Sequence, residues 1–449
     1  MIINSQIIDM LKKLLTLFIF ISLIQITYAQ NEFITIWKPG TAQQIKFPGR
    51  GTNFNVSWEE VGYPIHNGTI NNITSNKEFI VNFGTPSNPI SANATYRIKV
   101  SNGSGSFNQV RFYDSTLSPI YSCTDMYKII DIAQWGNIQW ATFDNAFVLC
   151  ADMNVSATDV PNLSSVTTTK EMFFLCGSLT GNASFNNWNT STITNMYNMF
   201  GEAINFNAPV GNWNVSNVTN MSYLFDYTSF NQPLNNWDTS NATQMEHMFH
   251  GSTLFNQDIR NWNTSKVTDM TEMFHETSFN QNLGQWNLNS LTTAQNMFLD
   301  SGMSCENYDN TLYGWSLSSA APSNINLSSA SPLVYSHPQA VNARNFLITS
   351  KGWIISGDSY NAECNSILSA SEDSLKNETS IYPNPATDFI YVKNLKGSNR
   401  YKILDQSGRI ILQNILNEEK IDISYLVKGN YILQIIAKDK TQSFKLIKN

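Results

Sequence analysis

The sequence predicts a multidomain chain: an N-terminal β-sandwich, a central α/β solenoid of short repeats and a C-terminal β-sandwich. Three observations carry that expectation. A phrase of about 25 residues returns through the middle of the chain. On either side lie short runs of alternating apolar and polar residues, separated by Gly, Pro and Asn. At 449 residues the chain is also too long for one core. The expected boundaries are a signal peptide over 1–29, an N-terminal domain over 30–122, the solenoid with its caps over 123–364, a linker over 365–380 and a C-terminal domain over 381–449.

The N-terminus reads as an export signal. Lys12 and Lys13 precede an apolar run from Leu14 to Ile24, and Thr27, Tyr28 and Ala29 end it. The run is shorter than the ~20 residues of a comfortable membrane span. No later stretch is apolar enough to make one, and no Cys follows the cleavage point to carry a lipid. Charged residues make up 14% of the chain and the net charge is −7, so Asn, Ser and Thr supply most of the polar surface. That balance offers no basic patch for a phosphate backbone and excludes nucleic acid as the main partner.

The repeat organises the centre. Trp188, Trp213, Trp237, Trp262 and Trp286 recur every 24 or 25 residues. A Phe column (Phe206, Phe230, Phe255, Phe279) precedes them, and a Met-Phe column follows at Phe173, Phe200, Phe225, Phe249, Phe274 and Phe298, with Phe147 before these. In one repeat Leu234, Trp237 and Thr239 reproduce an L-x-x-L-x-L core, which predicts a short strand. Met245, Met248 and Phe249 fall at i, i+3 and i+4, which predicts one face of a short helix. The expected unit is therefore leucine-rich-repeat-like, with a parallel sheet on one side and helices on the other. About seven such units would bury Trp, Phe and Met ladders between them.

From about Trp135 to Trp353 these residues resemble the BspA-like leucine-rich-repeat proteins of bacterial surfaces, in the branch with Trp and Met-Phe repeats. The likeness extends to the entry (Gln134-Trp135-Gly136 and Ala146-Phe147) and to the exit cap (Gly302 through Tyr308, Gly314-Trp315, Gly352-Trp353). It implies a surface protein without specifying a ligand. One departure is plain: Val218, Ala242 and Val267 occupy the place where ordinary leucine-rich repeats bury an Asn. Asn207, Asn231, Asn256 and Asn280, each following a column Phe, are candidates for the missing hydrogen-bond ladder.

Segments such as Phe33 to Trp37 and Tyr96 to Val100 alternate as β-strands do, which supports the N-terminal sandwich. Beyond a polar linker from Ser366 to Ser380, alternation resumes from Ile381. Tyr382-Pro383-Asn384-Pro385, Gly408, Gly429-Asn430-Tyr431 and a last strand with Lys445 and Lys448 resemble the type A C-terminal sorting domain of the type IX secretion system. The resemblance implies an Ig-like sandwich, engagement of the type IX machinery by 381–449, removal of this segment and attachment to surface lipopolysaccharide.

Catalytic signals are missing. There is no G-x-S-x-G, P-loop or calcium-loop pattern, and His275-Glu276 lacks the second His of a zinc-protease motif because Phe279 stands there. Glu246 and Glu272 read as solvated charges on helix surfaces. Asp226, His250 and His275 each follow a column Phe on consecutive repeats and together are a candidate zinc set. The same column holds Gly201 and Leu299, so it reads as a variable solvated corner, and no metal or cofactor is assigned.

Five cysteines lie beyond the signal, none in a Cys-x-x-Cys pair. Cys305 and Cys364 flank the C-terminal cap and form the favoured disulfide pair. Cys150 and Cys176 each lie three places after a column Phe and are a second candidate pair, leaving Cys123.

The candidate binding residues flank the Trp column on the outward strand face: Asn187, Asn189, Asn212, Asn214, Asn236, Asp238, Asn261 and Asn263. The resulting expectation is an exported, surface-attached binding or adhesion module for a glycan or protein ligand. The alternatives are an extracellular hydrolase, for which the N-terminal domain offers only His66, and a passive spacer.

Overall fold

In the computed structural model the described residues are 31–117, 120–318, 321–364, 366–368, 380–382, 385–393, 399–405, 408–416, 420–436 and 441–449. The signal peptide over 1–29, most of the linker over 365–380, and Pro383 and Asn384 of the Tyr-Pro-Asn-Pro motif lie outside them. The chain divides into two compact units, one ending at Leu368 and the other spanning Ser369–Asn449.

The first unit opens with strands β1 (Phe33–Trp37), β2 (Gln44–Phe47), β3 (Gly49–Glu60), β4 (Tyr63–Ser75), β5 (Phe79–Asn82), β6 (Tyr96–Ser101) and β7 (Ser106–Val110). Two short strands, β8 (Tyr113–Asp114) and β9 (Tyr121–Ser122), pair with each other before β10 (Ile129–Gln134) and β11 (Asn154–Val155). β11, β10, β1, β6, β3 and β4 form one sheet in that order, with β7 also on β3. Only the β10–β11 pairing in it is parallel. Alternation explains the inner face: Phe33, Thr35 and Trp37 of β1 are buried, as are Tyr96, Ile98 and Val100 of β6. The β2–β5 ribbon packs Phe47 against Trp37 and Phe79 against Phe54. The sheet draws β10 and β11 from beyond residue 122, and a single apolar core runs from Phe33 to Ile355. The N-terminal β-sandwich expected over 30–122 is corrected accordingly: its main sheet is completed by strands from beyond that range.

The central α/β leucine-rich-repeat-like solenoid is also corrected. The described residues contain only two α-helices, α1 (Cys305–Leu317) and α2 (Pro338–Lys351), and both lie after the repeats. The segment expected to be helical is a run of successive turns. Met248 N–H reaches back to Met245 O at 3.3 Å. The N–H groups of Met245, His247, Phe249 and Gly251 instead donate forward, to Asp269, Thr271, Met273 and His275 carbonyls. Amides committed to the next repeat are not available for i−4 bonding, and His247 (φ 55°) and Gly251 (φ 66°) are left-handed.

The segment expected to be a strand is likewise a turn, with Trp237 N–H on Leu234 O and Ala242 N–H on Thr239 O. Parallel contact occurs instead as single bridges linking Thr168, Asn195, Asn220, Gln244, Asp269 and Thr293 in series. From Asn195 on, each of these lies seven residues after a column Trp.

Side chains lock the repeats together from inside. The rings of Phe200, Phe225, Phe249, Phe274 and Phe298 follow one another at 5.8–6.2 Å, within 13° of parallel. From Trp213 to Trp286 each column indole donates to a carbonyl of the preceding repeat, as Trp237 Nε1 does to Val210 O at 3.1 Å and Trp262 Nε1 to Leu234 O at 3.1 Å. Trp315 of α1 continues the series by donating to Leu283 O at 2.9 Å.

Ser304 caps α1, and Gly352, left-handed at φ 69°, ends α2. Short strands β12 (Asn326–Leu327), β13 (Val334–Tyr335), β14 (Ile354–Ile355) and β15 (Ser359–Tyr360) pair in parallel as β12–β14 and β13–β15. A disulfide joins Cys305 to Cys364 with Cα atoms 6.5 Å apart. Beside it the buried Asp309 carboxylate accepts from Ser336 N–H, His337 N–H and the Ser366 hydroxyl.

The second unit holds strands β16 (Ser380–Tyr382), β17 (Phe389–Lys393), β18 (Asn399–Leu404), β19 (Ile410–Leu416), β20 (Lys420–Asp422), β21 (Gly429–Ile436) and β22 (Thr441–Lys448). They form two antiparallel sheets, β16-β17-β20 and β19-β18-β21-β22. Ile390, Val392 and Ile421 from one sheet and Ile403, Leu433, Ile435 and Leu446 from the other share one core.

Candidate functional site

Two edges of the repeats carry the candidate residues. Along the Trp edge, Asn187, Asn189, Asn212, Asn214, Asn236, Asp238, Asn261 and Asn263 are all exposed, because the Trp between each pair turns inward. They flank turns, not strands, so the strand face expected here is a row of corners. The row after each Trp braces its own corner. Asn189 Oδ1 accepts from Ser191 N–H and hydroxyl, Asn214 from Ser216, Asp238 from Ser240 N–H and Asn263 from Ser265. The bonds from Ser240 hold the Asp238 carboxyl below its ordinary range. In the row before each Trp, the side chains of Asn187, Asn212 and Asn261 have no protein partner among the described residues, and Asn236 only accepts from Asn235.

A different Asn column links the repeats. Asn207 Oδ1 accepts Asn231 N–H at 2.9 Å, Asn231 accepts Asn256 at 3.0 Å, Asn256 accepts Asn280 at 2.8 Å, and Asn280 accepts Ser304 at 2.7 Å. These side chains satisfy backbone donors in the next repeat and are structural.

The Met-Phe edge gathers titratable groups. Asp226, His250 and His275 do lie side by side, with the two imidazole rings stacked at 4.8 Å. His250 Nδ1 sits 2.9 Å from Asp226 Oδ1, and His275 Nδ1 sits 3.3 Å from Glu272 Oε2. Two members were not foreseen. His247 Nδ1 lies 3.5 Å from both His250 Nδ1 and Glu272 Oε2, and Glu272 is bound by Asn296 through its other oxygen at 3.1 Å.

The missed signal is a register: Tyr223-x-x-Asp226, His247-x-x-His250 and Glu272-x-x-His275 occupy the same places in three consecutive repeats. A helix would have put Glu272 on a solvated face. The left-handed turn at Tyr223, His247 and Glu272 brings that column beside the next one.

Burial tends to lower the His250 pKa, but the hydrogen bond and charge of Asp226 outweigh it and the net shift is upward. His247 shifts downward, since its burial exceeds the pull of Glu272. Burial would raise Glu272, yet bonds from Asn296 and His275 hold it low.

Cys150 and Cys176, the second candidate pair, are corrected: both are buried free thiols, as is Cys123. Cys176 Sγ is oriented to Phe147 O at 3.1 Å and Cys150 Sγ to Val148 O at 3.8 Å, which satisfies each sulfur within the core. Burial pushes both thiols up and away from the reactive thiolate.

The edges thus define a β-rich repeat protein with one uniform and one irregular polar margin. Residues 141–250 and 226–334 match a family described as a Mycoplasma protein of unknown function, DUF285. Residues 380–449 match the secretion system C-terminal sorting domain. Neither family describes an enzyme, and no curated protein matches the chain. The chain is a surface protein that joins a repeat-family region to a type IX secretion sorting tail, which directs its export and cell-surface display. Among the described residues no helix is long and apolar enough to cross a membrane.

Proposed function

We propose that this surface protein is a binding or adhesion module of the BspA-like kind, capturing a neutral polar ligand, a glycan or an exposed peptide backbone, along its Trp edge. The observation that carries this reading is the paired exposed row. Asn187, Asn212, Asn236 and Asn261 present unengaged amide donors once per repeat, on corners braced by the second row. An amide offers both donor and acceptor, which suits hydroxyls and peptide groups. Contacts of this kind are individually modest, and many copies at the cell surface supply avidity. Attachment to surface lipopolysaccharide after removal of 381–449 completes the proposal.

Glycan and peptide arrays with the full exported chain test it. Binding should vary little with salt, since few charges lie on this edge. Replacing Asn212, Asn236 and Asn261 together by Lys leaves the braced row intact and should abolish capture without changing the melting temperature. If capture survives that triple change, the rows only solubilise the protein and the passive spacer is the better account.

A further inference from the structure

The irregular margin carries a separate inference. We propose that His250, Glu272 and His275 bind one zinc-class divalent cation, with Asp226 and Asn296 orienting two of the ligands. One ligand atom from each of His250, Glu272 and His275 lies within 4.8 Å of the other two. Tetrahedral zinc holds N and O ligands about 2.0–2.1 Å away, hence about 3.4 Å apart. His275 Nδ1 is 3.3 Å from Glu272 Oε2, a hydrogen bond whose proton leaves when both atoms ligate, and His250 Nε2 is 4.0 Å from it. Closing the set requires the His250 and His275 rings, stacked at 4.8 Å, to turn until both lone pairs face one point.

The surroundings are those a metal ligand needs. A ligating imidazole usually donates its other N–H to a carboxylate, which fixes the tautomer and aims the lone pair. In the neutral ring His250 does this through Nδ1, 2.9 Å from Asp226 Oδ1, which leaves its Nε2 as the acceptor. Glu272 has its second oxygen held by Asn296 at 3.1 Å. Three protein ligands leave a fourth position for water, with the Tyr227 hydroxyl 3.5 Å from His250 Nε2 beside it. The side chains of His250, Glu272 and His275 are 13–22% exposed, sheltered yet reachable.

A second triad, Asp226, His247 and His250, shares the corner. It fits less well. Asp226 Oδ1 and His250 Nδ1 stand at hydrogen-bond distance, 2.9 Å, and would have to part for both to ligate. His247 instead stacks on Tyr223 at 4.5 Å and acts as a wall of the site. The cation requires no part of the Asn rows, so the two proposals stand independently.

The test is equilibrium dialysis of zinc chloride against the full exported chain, with cobalt chloride as a spectroscopic substitute. One zinc per chain is expected, and the cobalt form should show the intense visible absorption of tetrahedral coordination. His275→Ala and Glu272→Gln should each weaken zinc binding at least 100-fold. Asp226→Asn should weaken it about 10- to 100-fold, and His247→Gln by no more than a few-fold. Melting in excess chelator verifies that each variant folds; the cobalt spectrum of the unaltered chain needs no variant at all. No stoichiometric zinc at about 10 μM, an octahedral cobalt spectrum, or binding lost in His247→Gln but kept in His275→Ala would overturn the assignment. Zinc retained by the Lys triple variant that loses its polar ligand would separate this site from the Trp edge.

Discussion

The Trp edge and the Met-Phe edge are built on equally regular interiors but present opposite surfaces. On the Trp edge the outward residues repeat almost unchanged, from Asn187 and Asn189 to Asn261 and Asn263. On the Met-Phe edge the place after the column Phe reads Gly201, Asp226, His250, His275 and Leu299 while the rings beneath keep their spacing. A repeated surface makes the same contact at each step, so its strength comes from number. A selective site needs a place where the repeat is broken. The comparison teaches that one ladder can support both, because the interior sets the spacing and leaves the outer positions unconstrained.

Substitutions sharpen this contrast, beginning with the interior. Trp237→Ala removes a buried indole and its bond to Val210 O, and should cost roughly 3–5 kcal/mol in denaturant unfolding. A harmless substitution would mean that the ladder is not what holds the repeats. Reduction of Cys305–Cys364, which closes a separation of 59 residues, should cost about 4 kcal/mol by chain entropy. A melt unchanged by reductant would show that α1 and the buried Asp309 secure that end alone.

The Asn columns should then fall in order. Asn231→Ala strips acceptors from Asn256 N–H and Gln257, for about 1–2 kcal/mol. Asn263→Ala loosens one corner, for roughly 0.5–1 kcal/mol. Asn261→Ala should stay within about 0.5 kcal/mol. Equal losses at Asn261 and Asn231 would erase the distinction between binding rows and structural ladder.

A pH-dependent effect is expected in the N-terminal sheet. Burial would raise the Glu60 pKa, but bonds from His66, Ser87 N–H and Asn88 N–H prevail and hold it below 4.5. A folded value below the unfolded one stabilises above pH 4.5, and that contribution fades as pH falls through the lower value. The difference in melting temperature between the native chain and Glu60→Gln should shrink with acid over that window. A constant difference would place the role of Glu60 in packing.

The repeat period and the inward Trp, Phe and Met columns follow from residue spacing, and the sorting tail from the likeness of its motifs to a known family. Burial repeats wherever a large apolar side chain repeats, whatever the backbone does between. Local conformation was not readable in the same way. Met245, Met248 and Phe249 share a face in a helix and in a chain of turns alike; what decides is whether Phe249 N–H bonds to Met245 O or to Met273 O, 24 residues away. The His-acid corner was half legible for the same reason. Asp226, His250 and His275 line up by period alone, whereas His247 and Glu272 join them only because those residues adopt left-handed turns. Spacing along the chain therefore determined what is buried and what recurs. The partner of each backbone amide belonged to the neighbouring repeat, so only the tertiary structure decided between helix and turn, and with it which side chains meet.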